Sequence, residues 1–225
     1  MRVCFVTCSE LNATWSEKLD NIGKNDLIIF GFNGLGLVSY KKELSGETEY
    51  FQDLANLSKQ LSSVIVCGCD TDTYGVFRHS AVVADNGKIL GVSDMVYSID
   101  DSEFVPGGAV KVYDTSAGRI GIIISDDLLF PDTIKALSLG DTDFICCIYK
   151  NLESFMPEIL IRACAYTSGI STCICATKYA CVSDIRGNVL IKGSSDIIKA
   201  SVKIEKDYHL IKSKRRGFFK DCDLI

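Results

Sequence analysis

The sequence predicts a mixed α/β fold with helices outside the sheets. Extended apolar runs alternate with stretches of helical periodicity along the chain, the pattern of strand-helix units. Other extended runs follow one another directly across tight Gly-containing turns, which is hairpin grammar and argues against a purely parallel sheet. No Pro-, Gly- or Ser-rich linker, low-complexity tract or short-period repeat divides the 225 residues, so residues 1–225 are expected to form a single domain.

In chain order, "RVCFVT" predicts a strand over 2–7, followed by a short helical stretch at 15–22 and a strand at 26–30. "GFNGLG" after it reads as a turn, since it lacks the Lys-Ser/Thr of a phosphate loop. A helix is predicted over 48–61, because Phe51, Leu54, Leu57 and Leu61 keep helical spacing, and a strand over 63–69 follows. "FRHSAVVADNGKILGVSD" folds back on its Asn86-Gly87 turn. A loop carrying "EFVPGG" leads to a strand at 110–114, and "GRIGIII" supplies the next. A helix starts at Pro131 and runs to about 139; strand 142–148, helix 157–168 and strand 171–177 come after it. The extended pair 180–183 and 188–192 is joined by "DIRGN", and strand 195–204 completes the sheets.

Composition excludes several classes of function. With 47% hydrophobic and 24% charged residues the chain can bury a substantial core. A net charge of −5 gives no basic field for nucleic acid or anionic lipid, and "KSKRR" at 212–216 reads as a solvated segment or salt-bridge partner, with an anion site as the alternative. Most of the 11 cysteines fall inside apolar runs and are expected to be reduced core thiols; Cys146 and Cys147 in particular should be inert. The C-x-C pairs Cys67/Cys69 and Cys173/Cys175, with only His79 and His209 to help, do not make a zinc site. His79 itself sits in a strand context that suits a packed or hydrogen-bonded imidazole. "MRVCFVTC" reads as a strand rather than a secretory leader, and no apolar run approaches the roughly 18 residues of a membrane span. A cytoplasmic location is therefore expected.

The segment "GRIGIIISDDLLFPDTIKALSLGDTDFICC" resembles the nucleophile segment of the nitrilase, or carbon-nitrogen hydrolase, superfamily. There a G-R-I-G strand runs into a cysteine and then Asp-x-x-Phe-Pro-Glu at a helix start. "DLIIFGFN" looks like that family's first motif strand, "SAVVADNGKILG" like its hairpin, and "EFVPGG" like its loop before the nucleophile strand. "ILIRACAYTSGISTCICAT" is similar to its Arg-Ala-Arg-Ala helix and the strand beyond, so the likeness covers essentially the whole chain. It implies a four-layer αββα sandwich, pairing of two copies through helices beside the nucleophile, and cleavage of amides, nitriles or carbamoyl compounds without a metal or organic cofactor.

That chemistry needs a thiolate nucleophile, a carboxylate to move its proton and serve the following water, and an ammonium to steady the oxyanion. Carried over residue by residue, the cysteine position is Ser125, the glutamate position is Phe32 and the lysine position is Met95. A further glutamate of the resemblance survives as Glu103. Losing an oxyanion-stabilising group typically costs about a hundred- to a thousandfold in rate, and losing an acid-base group about a hundred- to ten-thousandfold. Such losses do not simply multiply, but the direction is against catalysis.

Asp126, Asp127, Lys150 and Lys178 are the other pocket candidates, because they stand at strand ends expected to share one mouth. As helpers they would make a Ser-Asp or Ser-Lys arrangement around Ser125. In the simpler reading Ser125 satisfies its hydroxyl locally, Asp127 caps the next helix or accepts backbone N–H groups, and the two lysines are exposed cations. The expectation is a protein that has lost the hydrolase chemistry and binds a partner chain or a small neutral or apolar ligand. A divergent amide hydrolase with Ser125 as nucleophile is the alternative.

Overall fold

In a computed structural model of the chain, residues 1–7, 19, 23–99, 103–150, 152 and 154–207 are described. The helix expected at 15–22, Leu19 apart, His209 and "KSKRR" lie outside them.

One sheet contains β1 (Arg2–Val6), β2 (Leu27–Phe30), β3 (Leu37–Ser39), β4 (Val64–Thr73), β5 (Val76–Asp85), β6 (Lys88–Asp94) and β13 (Ile197–Ser201). Its order is β13-β1-β2-β4-β5-β6, with β3 beside the far end of β4. The second contains β7 (Lys111–Thr115), β8 (Gly118–Ile124), β9 (Phe144–Ile148), β10 (Ser171–Ala176), β11 (Tyr179–Ser183) and β12 (Val189–Gly193), in the order β12-β11-β10-β9-β8-β7. In both, the central strands run parallel and hairpin strands pair antiparallel at the flanks. That is the mixed arrangement predicted by the alternation of strand-helix units and hairpins.

Period-two alternation explains the layering. Val3, Phe5, Leu27, Ile29, Ile120, Ile122, Phe144 and Cys146 point between the sheets into one shared core. Their neighbours Cys4, Val6, Ile28 and Phe30 face α2 (Tyr50–Leu61), which supplies Leu54 and Leu57. On the other side Ile123, Ile145 and Cys147 face α3 (Pro131–Leu139) and α4 (Met156–Ser168), which supply Ile134, Leu137 and Ile161. Strands this apolar on both faces must be covered on both. The result is helix, sheet, sheet, helix: the four-layer sandwich.

Three elements were not legible. β3 and a short helix, α1 (Tyr40–Ser45), follow the "GFNGLG" turn; α1 has no buried residue, so it carries no apolar stripe to read. β4 extends past Cys69 to Thr73 and turns into β5 at Tyr74-Gly75, both with positive φ (53° and 88°). A 3-10 helix at Ser125–Leu129 precedes α3. Among the described residues, no helix is long and apolar enough to cross a membrane.

Candidate functional site

The end of β8 makes the elbow. Ile120, Ile122 and Ile124 pack into the inter-sheet core, and Ser125 then turns the chain at φ 44°, a left-handed conformation that costs a residue bearing a β-carbon about 1 kcal/mol or more. Ser125 is only 7% exposed.

Asp127 is 1% exposed and is occupied. Its Oδ1 accepts the backbone N–H groups of Val96 and Tyr97, both at 2.8 Å, and its Oδ2 that of Ile124 at 3.4 Å. Burial pushes its carboxyl up to about 6, and these N–H groups work against that rise. It therefore accepts backbone N–H groups, as the simpler reading had it, but it does not cap α3. Phe130 holds the cap position, with Thr133 Oγ1 donating to the carbonyls of Asp127 and Phe130. Asp126 accepts the N–H of Ile99 at 3.3 Å, and Tyr97 stacks on Phe130 at 4.0 Å. Together these contacts strap the segment after Met95 across the elbow.

Phe32 and Met95 are 1% and 4% exposed and share the inter-sheet core with Ile124 and Ile148. Gly68 lets the chain at Phe32 come so close, since a β-carbon there would sit 2.6 Å from Phe32 Cα. Met95 is held at both backbone groups: its N–H donates to the His79 carbonyl, and its own carbonyl accepts from Gly107. Phe32 and Met95 thus belong to the same inter-sheet core as Ile124, the residue before the Ser125 elbow.

The remaining candidates are scattered. Glu103 is exposed, and Lys178 is exposed on the β10–β11 turn with its N–H on the Thr7 carbonyl. Lys150 is exposed as well, yet its Nζ lies over Phe32, 5.7 Å from the ring centre. Beside it stands a pair that sequence reasoning missed. His79, 3% exposed, faces Asp70 across the β4–β5 ladder with Nδ1 2.6 Å from Oδ1. The signal was available: a two-residue turn at Tyr74-Gly75 pairs Asp70 with His79. Among the described residues no group of three or more His, Cys, Asp or Glu side chains is placed to hold a metal.

A second surface lies outside the sandwich. Between α3 and α4 runs a groove of about 560 Å³ lined by Leu128, Leu129, Ile134, Leu139, Leu160 and Cys164. Burial pushes the Cys164 thiol up to about 11. Leu129, Leu139, Phe155, Met156, Ile159 and Tyr166 are all exposed on these helices and their approaches.

The family profile described as carbon-nitrogen hydrolase matches residues 12–207. A probable nitrilase of Schizosaccharomyces pombe is 24% identical over 153 residues, covering 64% of this chain and 56% of that protein, so the match spans little more than half of that relative. A carbon-nitrogen hydrolase from Helicobacter pylori superposes with a TM-score of 0.78 at 17% identity, covering 99% of this chain and 98% of its own. An amidase from Nesterenkonia sp. gives 0.74 at 16%, with 99% and 96% covered. Nit3 of Saccharomyces cerevisiae, a member of the nitrilase superfamily, gives 0.73 at 19%, with 97% and 94% covered. At such identities the structures speak for the fold.

Proposed function

The chain belongs to the carbon-nitrogen hydrolase family, and from that premise we propose that it is a member without C–N bond cleavage, acting by binding. One observation carries this reading: Phe32 and Met95, which the resemblance puts at the glutamate and lysine positions, are both buried in the inter-sheet core. A general base and an oxyanion partner are needed at those places, and a benzyl group and a thioether supply neither. Asp126 and Asp127, the nearest carboxylates in sequence, both accept backbone N–H groups.

The bound partner in this reading is a second copy of the chain. Support comes from the exposed apolar side chains of α3 and α4, the helices beside the elbow. A small ligand at the remnant pocket would present a neutral or apolar body to Phe32 and Met95. The nine described cysteines are all free thiols, which suits a reducing compartment such as the cytoplasm.

A second reading keeps Ser125 as the nucleophile of a divergent amide hydrolase, and the retained left-handed elbow favours it. Incubation with a panel of amides, nitriles and carbamoyl compounds separates the two. Binding without chemistry predicts no product above the level of Ser125→Ala; turnover that vanishes in Ser125→Ala would establish the hydrolase instead.

A further inference from the structure

We infer that Phe32, Phe104 and His79 form an aromatic cage for an alkylammonium ion, which the chain keeps filled with its own Lys150. The inference rests on the reading that this pocket binds rather than hydrolyses, and it names the class of ligand the rim takes.

The cage is built by pairing rather than by chance exposure. Phe104 is delivered by a bridge to Phe77, reinforced by the Val105 N–H on the Phe77 carbonyl. Its ring stacks on His79 with centroids 3.7 Å apart and 18° between planes, while Phe32 meets the same imidazole edge-on at 5.0 Å. The ammonium of Lys150 lies 5.5 Å from the Phe104 centroid, 5.7 Å from that of Phe32, and 3.4 Å from His79 Nε2. Two ring faces within about 6 Å are the geometry in which the aromatic quadrupole attracts a cation.

The sign of the site follows from its other members. Asp70 Oδ1 stands 2.6 Å from His79 Nδ1, which sets a carboxylate behind the imidazole. Ring faces and that carboxylate favour a positive guest. Lys150 comes from the loop just past β9, on a flexible stem of four methylene groups, and is exposed at its residue. It can leave without disturbing either sheet. A tethered group of this kind competes with a free ligand at an effective concentration of order millimolar, so the unaltered chain should bind amines weakly.

The test uses the full chain and titration calorimetry with n-butylammonium chloride, with sodium butyrate at the same ionic strength as the opposite-charge arm. Lys150→Ala and Lys150→Gln should each bind n-butylammonium at least about tenfold more tightly than the parent. Adding Phe104→Leu, which keeps the volume and removes the ring, should then weaken it roughly fivefold. All these positions lie at the rim, and unchanged melting temperatures would show that the fold is intact. Equal affinity in parent and Lys150 variants, no loss with Phe104→Leu, or a preference for butyrate would overturn the cage. The underlying reading fails differently: amide turnover abolished by Ser125→Ala would remove it whatever the amine titration gives.

Discussion

Two apolar regions of this molecule stand in opposite places. At the elbow, where the family's chemistry puts charge, Phe32 and Met95 are 1% and 4% exposed; on α3 and its neighbouring helix, where water is expected, Leu139 and Phe155 are 67% and 72% exposed. Under the proposed reading, the inner region offers hydrocarbon where charged groups would carry a desolvation cost. The outer region, under the same reading, is where a second copy of the chain covers apolar side chains.

The inner half of the comparison is tested most severely by Phe32→Ala, which should cost about 3–5 kcal/mol in denaturant unfolding, as large-to-small changes of a buried Phe do. A cost under about 1 kcal/mol would mean the pocket is open rather than filled. The outer half is tested by Leu129→Lys with Leu139→Lys, both exposed and both lining the groove. Light scattering on the parent should give about twice the chain mass of 24.7 kDa. The double variant should associate more than about a hundredfold less tightly, or about 3 kcal/mol. A parent that is monomeric at micromolar concentration breaks the comparison on this side.

Asp127 sharpens it further. Its carboxyl, pushed up to about 6 by burial, holds a proton in the folded chain at pH values where the unfolded chain has released it. Its contribution is therefore favourable below about pH 4 and is lost as the pH rises through 6, amounting to roughly 2–3 kcal/mol. Asp127→Asn should flatten the unfolding free energy over that window, and an unchanged slope would assign it to another group. The smallest effect is expected at the elbow. Ser125→Gly removes a β-carbon from a left-handed conformation and should stabilise by about 0.5–1 kcal/mol. A loss of stability there would show that the Ser125 side chain makes a contact worth keeping.

The fold was legible because apolar extended runs alternate with stretches of helical periodicity, and because Asn86-Gly87 and Pro131 punctuate the chain at the hairpin and the helix start. α1 and β3 were not, for they are short, and α1 buries no side chain to give a period. At the site, Phe32 and Met95 were assigned from their motifs, and the apolar runs around them made their burial readable. The Asp70–His79 pair was within reach of the two-residue turn at Tyr74-Gly75 and was missed, whereas the stacking of Phe104 was not readable, because its bridge to Phe77 is announced by no local pattern. Asp127 shows the same limit in a milder form. Its acidity at a strand end was visible, whereas its partners, Val96 and Tyr97, lie some thirty residues away in sequence and meet it only after folding.

The central claim is that the elbow no longer forms a covalent intermediate. Intact-mass analysis of the chain after prolonged incubation with short amides and fluoroacetamide tests it directly. The account predicts an unmodified mass, identical to that of Ser125→Ala treated in the same way. An acyl adduct mapped by peptide digestion to Ser125, and absent from Ser125→Ala, would contradict it.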